Sequence, residues 1–209
     1  MNPTTPIFTI VLIAITAIIS FQAFSKTDIM AKLCMYPYTV QRQNEWYRFI
    51  THGFVHADTN HLIFNMISLY FFGRNWELVY TGFLGLPGFS YIIFYLLCMI
   101  IASVPSYWSN RNNPRYSSLG ASGAVSGIIF SMILISPWSL IYVFFVPIPA
   151  IIYAVLYVAY SIYMDRQQRD NVNHSAHLWG ALAGIVISII LRPEVAKLFI
   201  QQLLQPSFG

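Results

Sequence analysis

The chain has 209 residues, of which 57% are hydrophobic, 17% aromatic and only 9% charged. Soluble domains carry about 25% charged residues, so too little polar surface remains here to cover a water-soluble globule. The apolar residues fall in long blocks, which points to a single polytopic membrane domain. The formal net charge of +4 is scattered between those blocks with no basic patch, which argues against a nucleic-acid partner.

The first block, Ile7 to Phe24, has no basic residue before it and is long for a signal-peptide core, so it reads as a retained span. Residues 25–60 form a long loop of mixed polar and aromatic character ("MYPYTVQRQNEWYRFITHGFVHADTN") that suits the membrane interface. The second span, about 61–80, is interrupted by Asn65, Ser68, Gly73 and Arg74, whereas the third, about 88–104, is almost purely apolar. Cys34 falls in the long loop and Cys98 in this third block, a pattern that makes no disulfide framework. The fourth span is about 119–135 and the fifth about 140–163, joined by the short turn "SPWS", so the two are expected as antiparallel neighbours. Pro147 and Pro149 are expected to bend the fifth. The sixth covers about 176–191, and residues 105–118 and 164–175 are polar loops. A helix needs about 20 residues to cross the hydrocarbon core, so spans four and six are short and their ends should lie near water. The expected fold is an all-α, six-helix membrane bundle, one domain over residues 1–209.

Spans two, four and six run in the same direction, so their N-terminal ends meet on one side of the membrane. Those ends carry His61 and Asn65 (four apart, on one helical face), Ser122 within Gly120-Ala121-Ser122-Gly123, and His177 within "AHLWGALAG". A serine hydroxyl becomes a nucleophile when a neighbouring base takes its proton, and His177 is the candidate base. His61, the Asn65 amide and the Ser122 backbone N–H are candidate donors to a developing oxyanion. Gly120 and Gly123 would clear space around the serine. No carboxylate is positioned to orient His177, so the expected unit is a dyad. Small residues at four-residue spacing usually serve helix packing, and Gly127, Gly180 and Gly184 are read that way. His61 with Asn65 could equally be an interhelical polar pair, but one depth shared by three segments favours chemistry.

A metal enzyme is the nearest rival, since His52 and His56 have helical ligand spacing. The zinc motif wants a glutamate directly after the first histidine, where Gly53 stands, and the chain's five histidines are too few for several iron-binding boxes. No metal or cofactor is therefore expected. A small transporter would show repeat symmetry or helices broken at mid-membrane, and neither stands out.

The segments "EWYRFITHGFVHADTNHLIFNM" (45–66), "GASG" (120–123) and "AHLWGALAG" (176–184), in this order on six spans, resemble the rhomboid intramembrane serine proteases. The resemblance implies Ser122 as nucleophile, His177 as general base, and His61 and Asn65 lining the oxyanion hole. It makes His56, Trp46 and Arg48 structural elements of the first loop. Gly73 and Glu77 fit a glycine-to-glutamate pattern in which the glutamate ties helix ends together. One departure stands out: the family often has an aromatic four positions after the serine, against which the imidazole packs, and here that position is Ser126. The resemblance also implies transmembrane proteins as substrates and the lipid bilayer as surroundings, leaving the oligomeric state open, and it makes the fifth span the favoured gate for substrates entering from the side. Its other branch is a catalytically inactive relative that binds membrane proteins, which would be expected to lack the serine or the histidine.

Orientation is contested within the sequence itself. Lys26, Lys32, Arg42, Arg48, Arg111, Arg115, Arg166 and Arg169 fall on one side, against Arg74, Arg192 and Lys197 on the other. The positive-inside bias alone would put the long loops in the cytoplasm. The resemblance implies the opposite, with a cytoplasmic N-terminus in a bacterial inner membrane, and an interfacial loop can hold its basic residues at headgroup level.

Overall fold

The computed structural model describes residues 6–143, 145–167 and 172–206. Arg169, counted above on one membrane face, lies outside them. Helix α1 (Ile7–Ser25) is followed by three short helices, α2 (Thr27–Leu33), α3 (Pro37–Gln43) and α4 (Arg48–Thr51), and a 3₁₀ turn at His52–Phe54. Helix α5 (Thr59–Ser68) passes through a π-helical turn at Leu69–Gly73 into α6 (Arg74–Leu78) and a second π turn at Val79–Phe83. Then come α7 (Gly88–Asn110), α8 (Ser122–Ile135), a hairpin of β1 (Leu140–Val143) and β2 (Val146–Pro149), α9 (Ala150–Gln167), α10 (His174–Leu191) and α11 (Glu194–Leu203). The fold is mostly helical. Helices α1, α7 and α10 are long and apolar enough to cross a membrane, and α8 is apolar but shorter.

The inward faces are built for lipid surroundings. On α1 the buried residues are Thr9, Leu12, Thr16, Ser20 and Ala23, one stripe at helical spacing, while Ile7, Ile10, Ile18 and Phe21 are exposed. A lipid solvent rewards burying small and hydroxyl-bearing residues and leaving aliphatic ones outside. Helix α8 is the centre: nearly every residue from Gly123 to Leu134 is buried, so it is apolar on all sides. At 14 residues it is about 21 Å long, too short to reach both faces of a bilayer core about 30 Å thick.

Helices α8 and α10 meet backbone to backbone. A side-chain carbon on Gly180 would overlap the Gly123 carbonyl oxygen, and one on Gly184 would overlap that of Gly127. Gly123 also abuts Ala102 of α7, whose Cβ would lie 2.7 Å from any Cβ placed at 123. Gly123 thus serves helix approach as much as space around Ser122. Deeper along the same seam the Ser131 and Ser188 hydroxyls lie 3.0 Å apart.

The fifth apolar block departs from expectation. Among its described residues the helix starts at Ala150; Leu140–Val143 and Val146–Pro149 pair as an antiparallel hairpin, with Tyr142 opposite Pro147 and Leu140 opposite Pro149. The bundle is therefore not purely α. Two prolines two residues apart remove donors a helix would need and clash with its preceding turn, while the β-branched and aromatic residues around them suit a strand. Pro147 lies within the second strand and Pro149 ends it, so neither bends a helix. Other boundaries shift less: α7 runs on through Pro105 to Asn110, α8 begins at Ser122, and α10 begins at His174 with Asn173 as its cap. Helix α11 was not expected. The Trp138 indole N–H donates to the Gln202 and Leu203 carbonyls at its C-terminal end, at 3.1 and 3.3 Å, which supplies acceptors there with a donor.

Glu77 fastens the far end of the bundle. Its carboxylate is buried and accepts from the Phe8 N–H at 3.1 Å, the Thr9 N–H at 2.7 Å and the Thr9 hydroxyl at 2.7 Å. These are first-turn donors of α1, where an acceptor charge is favoured. Gly73, one turn earlier, leaves room for Leu69, Thr9 and Tyr91.

Candidate active site

The chain reaches Ser122 along a path fixed by the first loop at three residues, Ser118, Gly120 and Ala121. Ser118 and Met35 exchange backbone hydrogen bonds at 3.0 Å each. The Gly120 N–H donates to the His52 carbonyl at 2.9 Å, and the Ala121 N–H donates to His56 Nε2 at 3.3 Å. Because Nε2 accepts, the His56 proton sits on Nδ1 and is donated to Ser20 Oγ at 3.0 Å, whose own hydroxyl donates to the Phe54 carbonyl. Helix α1, the first loop and the residue before Ser122 are thus one hydrogen-bonded chain. Burial holds the His56 imidazole down at about 3, which keeps it neutral and its acceptor available.

His52 performs a parallel task. Its Nδ1–H donates to the Arg48 carbonyl at 2.9 Å, and Nε2 lies 3.0 Å from Ser103 Oγ on α7. Burial lowers it to about 4. Both nitrogens of His52 and of His56 therefore face protein partners, which leaves the pair no lone pair for a shared metal. Arg48, buried, donates to the Ala31 and Cys34 carbonyls at 2.8 and 2.6 Å and pairs with Glu45 at 2.6 Å, drawing the short loop helices together. Trp46 is half exposed and stacks on Phe49.

Gly120 turns the chain into α8 with φ +109°, a conformation that favours glycine. A Cβ there would also lie 2.8 Å from the His61 ring. The first hydrogen bond back along α8 is from the Val125 N–H to the Ala121 carbonyl, so the N–H groups of Ser122, Gly123 and Ala124 have no acceptor within the helix. His177, in the first turn of α10, brings Nε2 to 2.8 Å from Ser122 Oγ. That turn is fixed by Asn173, whose Oδ1 accepts from the Ala176 N–H at 3.0 Å and whose Nδ2 donates to Ser106 Oγ and the Tyr116 hydroxyl.

His61 and Asn65 come up from α5 on the same side. The Ala57 N–H points at His61 Nδ1 at 3.5 Å, which assigns the ring proton to Nε2. Asn65 donates one amide hydrogen to the His61 carbonyl at 2.9 Å, leaving the second. All four residues line one cavity of about 1070 Å³, whose other walls include Asp58, Asn110, Asn173 and Ser175. A polar cavity of this size holds many waters.

Ser126 lies one turn below Ser122 and is buried. Its hydroxyl is 2.7 Å from that of Tyr157 on α9, and the Tyr157 ring stacks on the His177 imidazole at 6.1 Å between centroids and 24° between planes. The aromatic absent from position 126 is thus replaced from a different helix. The sequence carried a trace of it, Tyr153 and Tyr157 four apart, but nothing that fixed which way they face. Ser20, Ser103, Asn173 and the Met35–Ser118 pairing were likewise missed, because each acts through a partner distant in the chain.

A serine hydroxyl bonded to an imidazole, at the head of a central apolar helix and open to a polar cavity, defines a membrane protein with an embedded serine–histidine site. The rhomboid domain model matches residues 43–194, and the chain belongs to the rhomboid family. It is 34% identical over 152 residues to RHOMBOID-like protein 12, mitochondrial, of Arabidopsis thaliana, covering 66% of this chain and 44% of that protein. It is 33% identical over 156 residues to Rhomboid-like protein 11, chloroplastic, of the same plant, covering 70% of this chain and 52% of that protein. The chain thus spans about half the length of these relatives or less.

Proposed function

We propose that the chain is an intramembrane serine endopeptidase that cuts peptide bonds in or near transmembrane segments of other proteins. The observation that carries this reading is the 2.8 Å contact between Ser122 Oγ and His177 Nε2 at the floor of a polar cavity. In this reading a single rhomboid-like domain crosses a bacterial inner membrane six times with its N-terminus in the cytoplasm. Helices α1, α5 continued through α6, α7, α8, α9 and α10 are the spans, and the hairpin and α11 lie at the face opposite the cavity.

Hydrolysis needs water where the hydrocarbon core excludes it. The shortness of α8 supports a site sunk below one surface, with the cavity above it admitting water. Substrate backbone inside its own helix is protected by hydrogen bonds, so the substrate unwinds locally before attack. Ser122 Oγ then adds to the scissile carbonyl carbon while its proton passes to His177 Nε2. The oxyanion accepts from the Ser122 N–H, His61 Nε2–H and the remaining Asn65 N–H. Collapse breaks the C–N bond, His177 returns the proton to the leaving amine, and water releases the acyl group from Ser122 by the same route. No step calls for a metal or cofactor.

The test is cleavage of single-span substrates by the purified protein in lipid, with the cut mapped by mass. Ser122→Ala and His177→Ala should each abolish the cut while the thermal unfolding midpoint stays within a few degrees of wild type. Cleavage retained by Ser122→Ala sinks the assignment. A wild-type protein that binds such substrates, cuts none of them and takes no fluorophosphonate label would instead be an inactive, membrane-protein-binding member of the family.

A further inference from the structure

We propose that Tyr157, delivered from α9 and held by Ser126, is the positioning residue for the His177 imidazole, so that the base is set only while α9 is docked on α8. The inference rests on the protease reading and concerns the control of that same site. Near-parallel stacking fixes the tilt of the imidazole, and the hydroxyl contact at 2.7 Å fixes the tilt of the tyrosine. Phe130 and Tyr153 pack on the same ring, each 5.6 Å away between centroids, so it has little freedom to turn. Ser126 is buried one turn below Ser122. Its small side chain leaves the volume that the Tyr157 ring occupies.

What makes this a control and not only a support is the helix that carries it. The inner face of α9 is otherwise small: Ala150, Ala154 and Ser161 are its buried residues, Tyr160 packs edge-on against the His174 ring of α10 at 5.6 Å between centroids, and Val155 and Leu156 on the other face are exposed. Its N-terminal end is tied down, with the Ala150 and Ile151 N–H groups donating to the Ser139 and Pro137 carbonyls at 2.8 Å. Tyr157 lies two turns beyond that tie. An outward swing of α9 about its anchored end carries the ring away from His177 while Ser122, on α8, stays put. Nucleophile and nucleophile-positioning glycines belong to one rigid pair of helices; the base's platform belongs to another helix.

The experiment compares full-length variants in lipid on one transmembrane substrate, with kcat and KM separated. Tyr157→Leu should lower kcat by about 10–100-fold and move KM less than about 3-fold, the pattern of a misaligned base with binding intact. Tyr157→Phe keeps the ring and loses only the Ser126 hydroxyl partner, and should lose about 2–5-fold in kcat. The decisive variant moves the ring to the other helix. Ser126→Phe combined with Tyr157→Ala should recover at least about 5-fold of the kcat lost by Tyr157→Ala alone. A ring serving only to fill space would leave kcat intact in Tyr157→Leu, and that result overturns the proposal. So does a double variant, folded by its unfolding midpoint, that is no more active than Tyr157→Ala. If Tyr157→Leu fails to fold, the Tyr157→Phe loss and the double variant decide by the same criteria. Ser122→Ala run alongside separates the two levels: its retained activity means the protease reading has failed, whereas its inactivity beside a fully active Tyr157→Leu means that only this inference has.

Discussion

Gly180→Ala is the smallest change expected to disable the site without touching it. The added methyl carbon falls more than about 1 Å inside the 3.4 Å at which ordinary contact with the Gly123 carbonyl oxygen begins. That oxygen is backbone, so neither it nor the methyl can turn aside, and α10 must move off α8. Gly180 sits one turn past His177, and Gly123 adjoins Ser122. Opening the seam by about 1 Å there stretches the 2.8 Å Ser122–His177 contact beyond hydrogen-bonding range. A displacement of that size at reacting groups costs on the order of 100-fold in rate, and overpacking a tight seam costs about 1–3 kcal/mol in stability. Gly184→Ala makes an equivalent clash with Gly127, one turn further from the dyad. It should cost similar stability but less activity. The assay is substrate cleavage in lipid vesicles, read beside thermal unfolding in detergent. A Gly180→Ala protein with wild-type rate and midpoint would refute the backbone-to-backbone packing and the account of how the dyad is held.

Two further outcomes follow from groups outside the cavity. His52 and His56 are held at about 4 and about 3 against an ordinary 6.5, both by burial, so the unfolded chain binds protons there that the folded chain refuses. Their contribution is complete above pH 6.5 and is lost as pH falls from 6.5 towards 4, at up to roughly 1.4 kcal/mol per pH unit for each. The unfolding midpoint should fall across pH 6.5–5, and His52→Gln should flatten that fall; an unchanged slope would mean His52 is not neutral and buried in the fold. Glu77→Ala removes the acceptor for three donors of the first turn of α1. It should cost at least about 3 kcal/mol, since each of the three donors left unmet costs about 1–3 kcal/mol. Chemical denaturation in mixed micelles measures it, and a loss below about 1 kcal/mol would show that α1 does not depend on this cap.

How much of this was legible in the sequence depends on whether a residue acts alone or through a distant partner. Ser122, His177, His61 and Asn65 stood out because polar groups inside apolar blocks are costly and rare, and helix direction alone brings three such blocks together at one end. The glycines at 127, 180 and 184 announced a close helix seam by their spacing, whereas Gly123, expected to clear space around Ser122, also forms part of that seam. The hairpin at 140–149 did not announce itself, since an uninterrupted apolar run fits strand or helix equally by periodicity. Its two prolines were the available signal, and they were read as a bend. His52 and His56 show what spacing alone could not supply. Their spacing admitted a metal reading, set aside because Gly53 stands where the zinc motif wants a glutamate, but it said nothing of the Ser20, Ser103 and Ala121 partners that the rings join.

Position 126 shows why the missing part was missing. Read within its own helix, a serine where the family often has an aromatic is a deletion, and it made the geometry of the base look unsupported. In three dimensions the ring is present but comes from α9, 31 residues away, and the serine is what holds it. A motif read along one helix registers only the loss, because the compensating residue belongs to a segment whose facing is set by tertiary packing. The exchange also changes what kind of site this is. An aromatic on α8 would travel with the nucleophile and keep the imidazole aligned whatever α9 did. Under the proposed positioning role, a tyrosine on α9 makes alignment conditional on the docking of a helix whose N-terminal end is tied to the Pro137 and Ser139 carbonyls. On the proposed protease reading, the substitution converts a fixed support into a dependent one, and the proposed proton acceptor, not the proposed nucleophile, is the part that α9 governs.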